Sequence, residues 1–121
     1  MKKVFVSGGS GYIAMYCIKI LIEKGYHIVT SVREKSQIEL VKKSLSKNNI
    51  PFENIDFAIL DLLKDEGWDN ALKGCEYVLH VASPVIPGDV DEDSLVRPAV
   101  DGMTRCLNAA IKNGAKKFVQ T

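Results

Sequence analysis

The stretch Lys3-Val4-Phe5-Val6-Ser7-Gly8-Gly9-Ser10-Gly11-Tyr12-Ile13-Ala14 decides how this chain is read. Val4, Phe5 and Val6 are a continuous apolar run of the kind found in strands buried on both faces of a parallel sheet. Glycines interrupt it at once. An apolar pattern at helical spacing follows, which predicts Ile13, Cys17, Ile20 and Leu21 as a buried helix face ending at Gly25. Small residues at Gly8, Gly11 and Ala14 permit a sharp turn, admit a diphosphate against bare amides and seat the helix close to the strand. The start of such a helix meets an anion with unpaired N–H groups and its positive dipole end. Strand, glycine turn and helix in this order predict a dinucleotide site.

Further along, strand and helix patterns keep alternating, the signature of a parallel sheet covered by helices on both faces. A second strand is expected over 26–32 and a second helix over 36–47, with Ser36 and Glu39 spaced as a capping box. Asn49-Ile50-Pro51 closes that unit. A third strand is read at 55–60, then a short helix near 66–72 capped by Asp65 and ended by Gly74. A fourth strand covers 76–82. Ser83-Pro84-Val85-Ile86-Pro87-Gly88 is irregular, and the acidic stretch 89–93 leads into a long helix. That helix carries Leu95, Val96, Ala99, Val100, Met103, Leu107, Ala110 and Ile111 as its apolar face, with Pro98 in its first turn or bending it. Asn113-Gly114 ends it, and a fifth strand begins at Lys117. The expected fold is α/β, a doubly wound Rossmann-type parallel sheet of strand order 3-2-1-4-5. Its ligand crevice opens where strands one and four part.

At 121 residues the chain is one domain with enough apolar content, 46%, for a proper core. Its net charge of +1 conceals nine Lys/Arg against three Asp/Glu in residues 1–50 and seven against twelve in 51–121. An acidic second half argues against a nucleic-acid partner. Gly8-Gly9 breaks the first apolar run too early for a signal peptide, and no later run is long enough to span a bilayer, so no membrane partner is expected. Cys17, Cys75 and Cys106 are odd in number and widely spaced, which predicts buried reduced thiols and a cytoplasmic protein rather than disulfides or zinc.

The end of the second strand is where NAD sites place an acid on the ribose 2′-hydroxyl. Here it reads Thr30-Ser31-Val32-Arg33, and a guanidinium at that place suits a 2′-phosphate, whose oxygens its planar fork can pair. NADP is therefore expected over NAD. Glu34 would partly neutralise that arginine if it were merely solvated, and Lys35, Lys42 and Lys43 read as surface residues. Asp61, after the third strand, suits either an adenine amino group or local turn chemistry. His80 reads as a hydrogen-bonded structural histidine, His27 as a strand-edge residue and Trp68 as packing a helix onto the sheet. Ser83 is the early hydroxyl beside the crevice. No Ser/His/Asp arrangement, metal cluster or close carboxylate pair is visible.

Together with the glycine turn, Ser31-Val32-Arg33-Glu34, Asp61-Leu62, Lys73-Gly74-Cys75, Val78-Leu79-His80-Val81-Ala82-Ser83-Pro84 and Pro98-Ala99-Val100-Asp101-Gly102-Met103 resemble the extended short-chain dehydrogenase/reductase superfamily. The resemblance is strongest to its dihydroflavonol reductase and cinnamoyl-CoA reductase branch, and it runs in order along the whole chain. It implies NADPH-dependent reduction of a ketone or aldehyde. Carried over by position, it implies diphosphate at Gly8, Ser10, Gly11, Tyr12 and Ile13, and the 2′-phosphate at Arg33. It further implies adenine near Asp61 and Leu62 and the nicotinamide ribose near Val81, Ala82 and Ser83, with Thr121 completing the cofactor set. Leu40 stands where plant members carry a phosphate-binding lysine, and Ala14 replaces the commoner third glycine.

In that family a catalytic serine follows the position of Thr121 and a Tyr-x-x-x-Lys motif comes later. The tyrosines here are Tyr12, Tyr16, Tyr26 and Tyr77, and Lys19 lies at the wrong spacing from Tyr16. The resemblance thus implies that residues 1–121 are the NAD(P)-binding N-terminal portion of a longer reductase, without catalytic residues of their own. The carbonyl substrate would meet the missing half, and the fifth strand would leave an edge open to self-association. Two other readings share these features: a non-catalytic NADP-sensing protein, and a sugar-nucleotide epimerase or dehydratase, against which Arg33 argues.

Overall fold

The computed structural model describes residues 2–61, 63–81 and 92–120, with backbone alone over 92–99. In chain order these form β1 (Lys3–Val6), α1 (Tyr12–Glu23), β2 (His27–Val32), α2 (Ser36–Lys47), β3 (Ile55–Ile59), α3 (Trp68–Leu72), β4 (Cys75–His80), α4 (Glu92–Lys112) and β5 (Lys117–Gln120). The strands make one parallel sheet in the order β3-β2-β1-β4-β5, as the alternation predicts.

Side chains alternate across a strand, so β1 feeds both layers. Val4 and Val6 join Ile28, Val32, Ala14, Ile18, Val41 and Leu45 on the face covered by α1 and α2. Phe5 enters the opposite layer with Val29, Val78, Trp68, Leu72, Cys106, Ala109 and Ala110, beneath α3 and α4. Trp68 is 3% exposed and meets Phe5 edge to face with ring centroids 6.2 Å apart, tying α3 to the central strand. Burying each of these rings contributes on the order of 2–3 kcal/mol.

Several local expectations are corrected. Ile13 and Ile20 are 58% and 49% exposed, and Ala14 and Ile18 take the core positions of α1. The small side chain of Ala14 sits where the helix approaches the sheet, and Ile13 and Ile20 lie roughly 100° round the helix from it. In α4 the sheet is met by Gly102, Cys106, Ala109 and Ala110, while Val100 and Ile111 face outward at 48% and 68% exposure. Small residues again let helix and sheet come close. Pro98 falls well inside α4 rather than in its first turn.

No capping box forms at α2. Ser36 is already helical and donates weakly to the Glu34 carboxylate at 3.5 Å, while Gln37 Oε1 accepts the N–H groups of Arg33 at 2.8 Å and Glu34 at 3.2 Å. α3 begins at Trp68 behind a left-handed Gly67, so Asp65 caps nothing; its carboxylate instead accepts from Arg105 Nε of α4 at 2.6 Å. β4 stops at His80, short of the expected 82. α2 ends as its sequence indicates: Asn49 takes φ 59°, and the Ile50 N–H returns to Leu45 O at 2.8 Å.

Cys75 and Cys106 are buried and Cys17 is half-buried, all three as free thiols. Burial pushes the Cys106 thiol up to about 12. Among the described residues no helix is long and apolar enough to cross a membrane.

Candidate cofactor-binding crevice

The crevice lies where the chain leaves β1 and the sheet order changes direction between β1 and β4. Past Val6 the backbone turns through Gly8 at φ 72°, a conformation that strongly favours glycine. The turn closes with Gly11 N–H donating to Gly8 O at 2.9 Å. Gly11 then serves as the N-cap of α1 with no side chain to cap it. The first amides of a helix have no intrahelical acceptor. Those of Tyr12, Ile13 and Ala14 have no protein acceptor among the described residues, and Ser10 to Ile13 are exposed.

β2 holds the turn in place. Gly8 N–H donates to Ser31 Oγ at 2.8 Å, Gly9 N–H to Ser31 O at 2.8 Å, and Thr30 Oγ1 donates to Val6 O at 2.7 Å. Gly9 is buried so tightly that an added Cβ would lie 2.5 Å from Thr30 Oγ1 and 2.9 Å from its Cγ2. The expected motif glycines were Gly8 and Gly11, yet Gly9 has the least room.

On the other side, β1 and β4 are joined by side chains as well as by the ladder. Ser7 N–H donates to Leu79 O at 3.1 Å, and Ser7 Oγ accepts the Val81 N–H at 2.9 Å. Ser7 Oγ also lies 3.0 Å from His80 Nδ1. Ser7 is fully buried and His80 is 1% exposed, which makes this a structural pair rather than a nucleophile and its base. Burial holds the imidazole below the usual histidine range, so it is neutral near pH 7. His80 is thus the hydrogen-bonded core histidine expected from its apolar neighbours.

Arg33 emerges just beyond β2, exposed, and its guanidinium has no protein partner among the described residues. The Gln37 carboxamide fixes the backbone that carries it. Asp61 follows β3, where its Oδ1 accepts the Leu63 N–H at 2.9 Å and its carbonyl accepts from Trp68 Nε1 at 3.4 Å. The turn role foreseen for Asp61 is therefore built. His27 opens β2 and pairs with Asp56 Oδ2 at 2.7 Å.

Along the C-terminal edge of the sheet, then, Asp61, Arg33, the glycine turn and Val81 succeed one another on β3, β2, β1 and β4. Three strand spacings cover about 14 Å. Leu62, Ala82, Ser83 and Thr121, also expected at the site, lie outside the described residues, as does the irregular segment 83–88. No group of His, Cys, Asp and Glu that could hold a metal ion is present among the described residues.

Residues 4–121 match the NAD dependent epimerase/dehydratase family. The chain is 35% identical to tetraketide alpha-pyrone reductase 1 of Arabidopsis thaliana over 97% of its own length and 36% of that protein's. It is 39% identical to a putative NADPH-dependent methylglyoxal reductase of Candida albicans over 92% of its own length and 34% of the relative's. Yeast methylglyoxal/isovaleraldehyde reductase Gre2, solved as its NADPH complex, superposes with a TM-score of 0.80 at 27% identity, covering 98% of this chain and 36% of that one. The chain thus spans about a third of the length of the curated relatives it matches.

Proposed function

Because the chain belongs to the NAD dependent epimerase/dehydratase family, we propose that it is the dinucleotide-binding part of a longer NADPH-dependent reductase acting on a ketone or aldehyde. The observation that carries this reading is Arg33: an exposed guanidinium on a side-chain-braced turn at the end of β2, where an NAD site would present an acid. The reductase relatives add weight, one by its name and one by its NADPH complex.

In this reading the exposed turn Gly8, Ser10, Gly11, Tyr12 and Ile13 takes the diphosphate, supported by the free amides and positive end of α1. Arg33 takes the 2′-phosphate, Asp61 and Leu62 border the adenine, and Val81, Ala82, Ser83 and Thr121 border the nicotinamide ribose. When bound, NADPH supplies the hydride. The chain's own work is to hold the two ends of the cofactor at a set separation and to present one face of the nicotinamide. Proton donation and substrate binding belong to the rest of the longer protein, with the substrate a small carbonyl compound. The thiol pattern fits a cytoplasmic setting. Val119, 47% exposed beside the outer edge of β5, supports self-association of the isolated chain.

The test is calorimetric titration of NADPH and NADH against the wild-type chain and Arg33→Ala. Each charge-assisted hydrogen bond to the phosphate contributes on the order of 1.5–3 kcal/mol, so Arg33→Ala is expected to weaken NADPH by at least about tenfold and NADH little. Equal losses for both nucleotides would remove Arg33 from the 2′-phosphate.

A further inference from the structure

Among the described residues, Ser7 is the last of the β1 side that reaches β4 and Val81 beyond it, and it does so with its side chain as well as its backbone. Val6 pairs with Leu79 in the strand ladder, and Ser7 N–H donates to Leu79 O. Beyond that point β1 has become the glycine turn, and among the described residues no main-chain carbonyl of the β1 side meets the Val81 N–H. The Val81 N–H is met by the Ser7 hydroxyl oxygen instead. A side chain thus continues the ladder by one rung at the place where the two strands part.

A serine side chain has three staggered rotamers, and the one seen here points its oxygen at β4. The second bond of that oxygen, to His80 Nδ1, fixes this rotamer. The imidazole is itself held: it stacks near the Phe118 ring of β5, centroids 6.2 Å apart and planes 25° apart, inside the core. The chain of restraint runs from β5 through His80 to Ser7 and ends on the main chain of Val81.

With the diphosphate on the turn after β1 and the 2′-phosphate at Arg33 beyond β2, the other half of the dinucleotide must extend toward β4, whose first residue past the strand is Val81. We infer that Ser7, held by His80, is a positioning residue for the nicotinamide end of the cofactor, acting through the main chain of Val81. This rests on the NADPH reading above. It assigns no contact between Ser7 and the cofactor. The expected consequence is a selective one, because the adenosine end is held by other strands.

Two ligands separate the halves: NADPH, and 2′,5′-ADP, which carries the adenosine, 2′-phosphate and 5′-phosphate but no nicotinamide. Calorimetry on the full 121-residue chain is expected to show Ser7→Ala and His80→Gln losing about five- to tenfold in NADPH affinity, the scale of one hydrogen bond, with 2′,5′-ADP changed less than about twofold. In the wild-type chain, the Val81 amide and the His80 ring nitrogens should shift in NMR spectra on adding NADPH and stay put with 2′,5′-ADP. That measurement decides the matter if a variant fails to fold. Parallel losses for both ligands, unchanged NADPH binding in folded variants, or ring and amide signals blind to NADPH would each overturn the role of Ser7 alone. A wild-type chain that binds neither ligand would overturn the NADPH reading, and the role of Ser7 with it.

Discussion

Replacing Gly9 by alanine tests whether the glycine turn is held by packing as tightly as its geometry implies. The added methyl would sit 2.5 Å from Thr30 Oγ1 and 2.9 Å from Thr30 Cγ2, and Thr30 is fully buried. Thr30 is β-branched and stiff about its first torsion, and its hydroxyl is committed to Val6 O at 2.7 Å. Relief therefore requires either a shift of the turn or rotation of Thr30 with loss of that bond. Overpacking of this kind costs about 1–3 kcal/mol and a stranded buried acceptor another 1–3, so Gly9→Ala should destabilise by about 1–3 kcal/mol if the turn shifts and about 2–6 kcal/mol if Thr30 gives up its bond. Urea unfolding followed by circular dichroism measures it. Removing the obstacle supplies the control: in Gly9→Ala/Thr30→Ala the loss should fall short of the sum of the two single losses by at least about 1 kcal/mol. Strict additivity, or a Gly9→Ala chain within about 0.5 kcal/mol of wild type, would refute the steric account.

Gln37→Ala should cost about 1 kcal/mol by releasing the amides of Arg33 and Glu34, again read from urea midpoints. His80 should make stability depend on pH: its folded value lies below the unfolded one of about 6.5, so its contribution is complete above that pH and is lost as pH falls toward the folded value. Comparing melting temperatures of wild type and His80→Gln at pH 7.5 and 5.5 isolates this slope, and a slope equal in both chains would remove His80 as its source. Among the thiols, half-buried Cys17 should react first with a disulfide reagent at pH 8, while Cys75 and Cys106, buried and with thiols pushed up, should wait for unfolding. Simultaneous labelling of all three in the folded chain would contradict the burial.

The sheet order was legible in the sequence because it follows from patterns several residues long: apolar strand runs, helices between them, and glycines at the first turn. Ends marked by residues with a local mechanism were legible too, such as Asn49 at α2 and Asn113-Gly114 at α4. What escaped depended on partners distant in the chain. Asp65 meets Arg105 rather than capping α3. The rotation of α1 and α4 is set by where Ala14 and the Gly102–Cys106–Ala109 side can approach the sheet, which a tally of large apolar residues misreads. At the site, Arg33 and the turn stand out in sequence. Thr30, Ser31 and Ser7 do not, since a buried hydroxyl declares its partner only in three dimensions.

Thr30 and Ser31 also bear on how the site could be redesigned. The residues that clamp the glycine turn and the arginine at the strand end are carried by a single stretch of β2 and its exit, Ser31 and Arg33 being about 6.6 Å apart along an extended strand. In the proposed reading, that stretch acts as a ruler between the diphosphate and the 2′-phosphate. A graft meant to change nucleotide preference can exchange residues from Arg33 onward and leave the ruler intact. One that begins upstream of Thr30, or that inserts a residue between Ser31 and Arg33, would alter the turn's support and the spacing together, and a lost preference would then say nothing about the arginine.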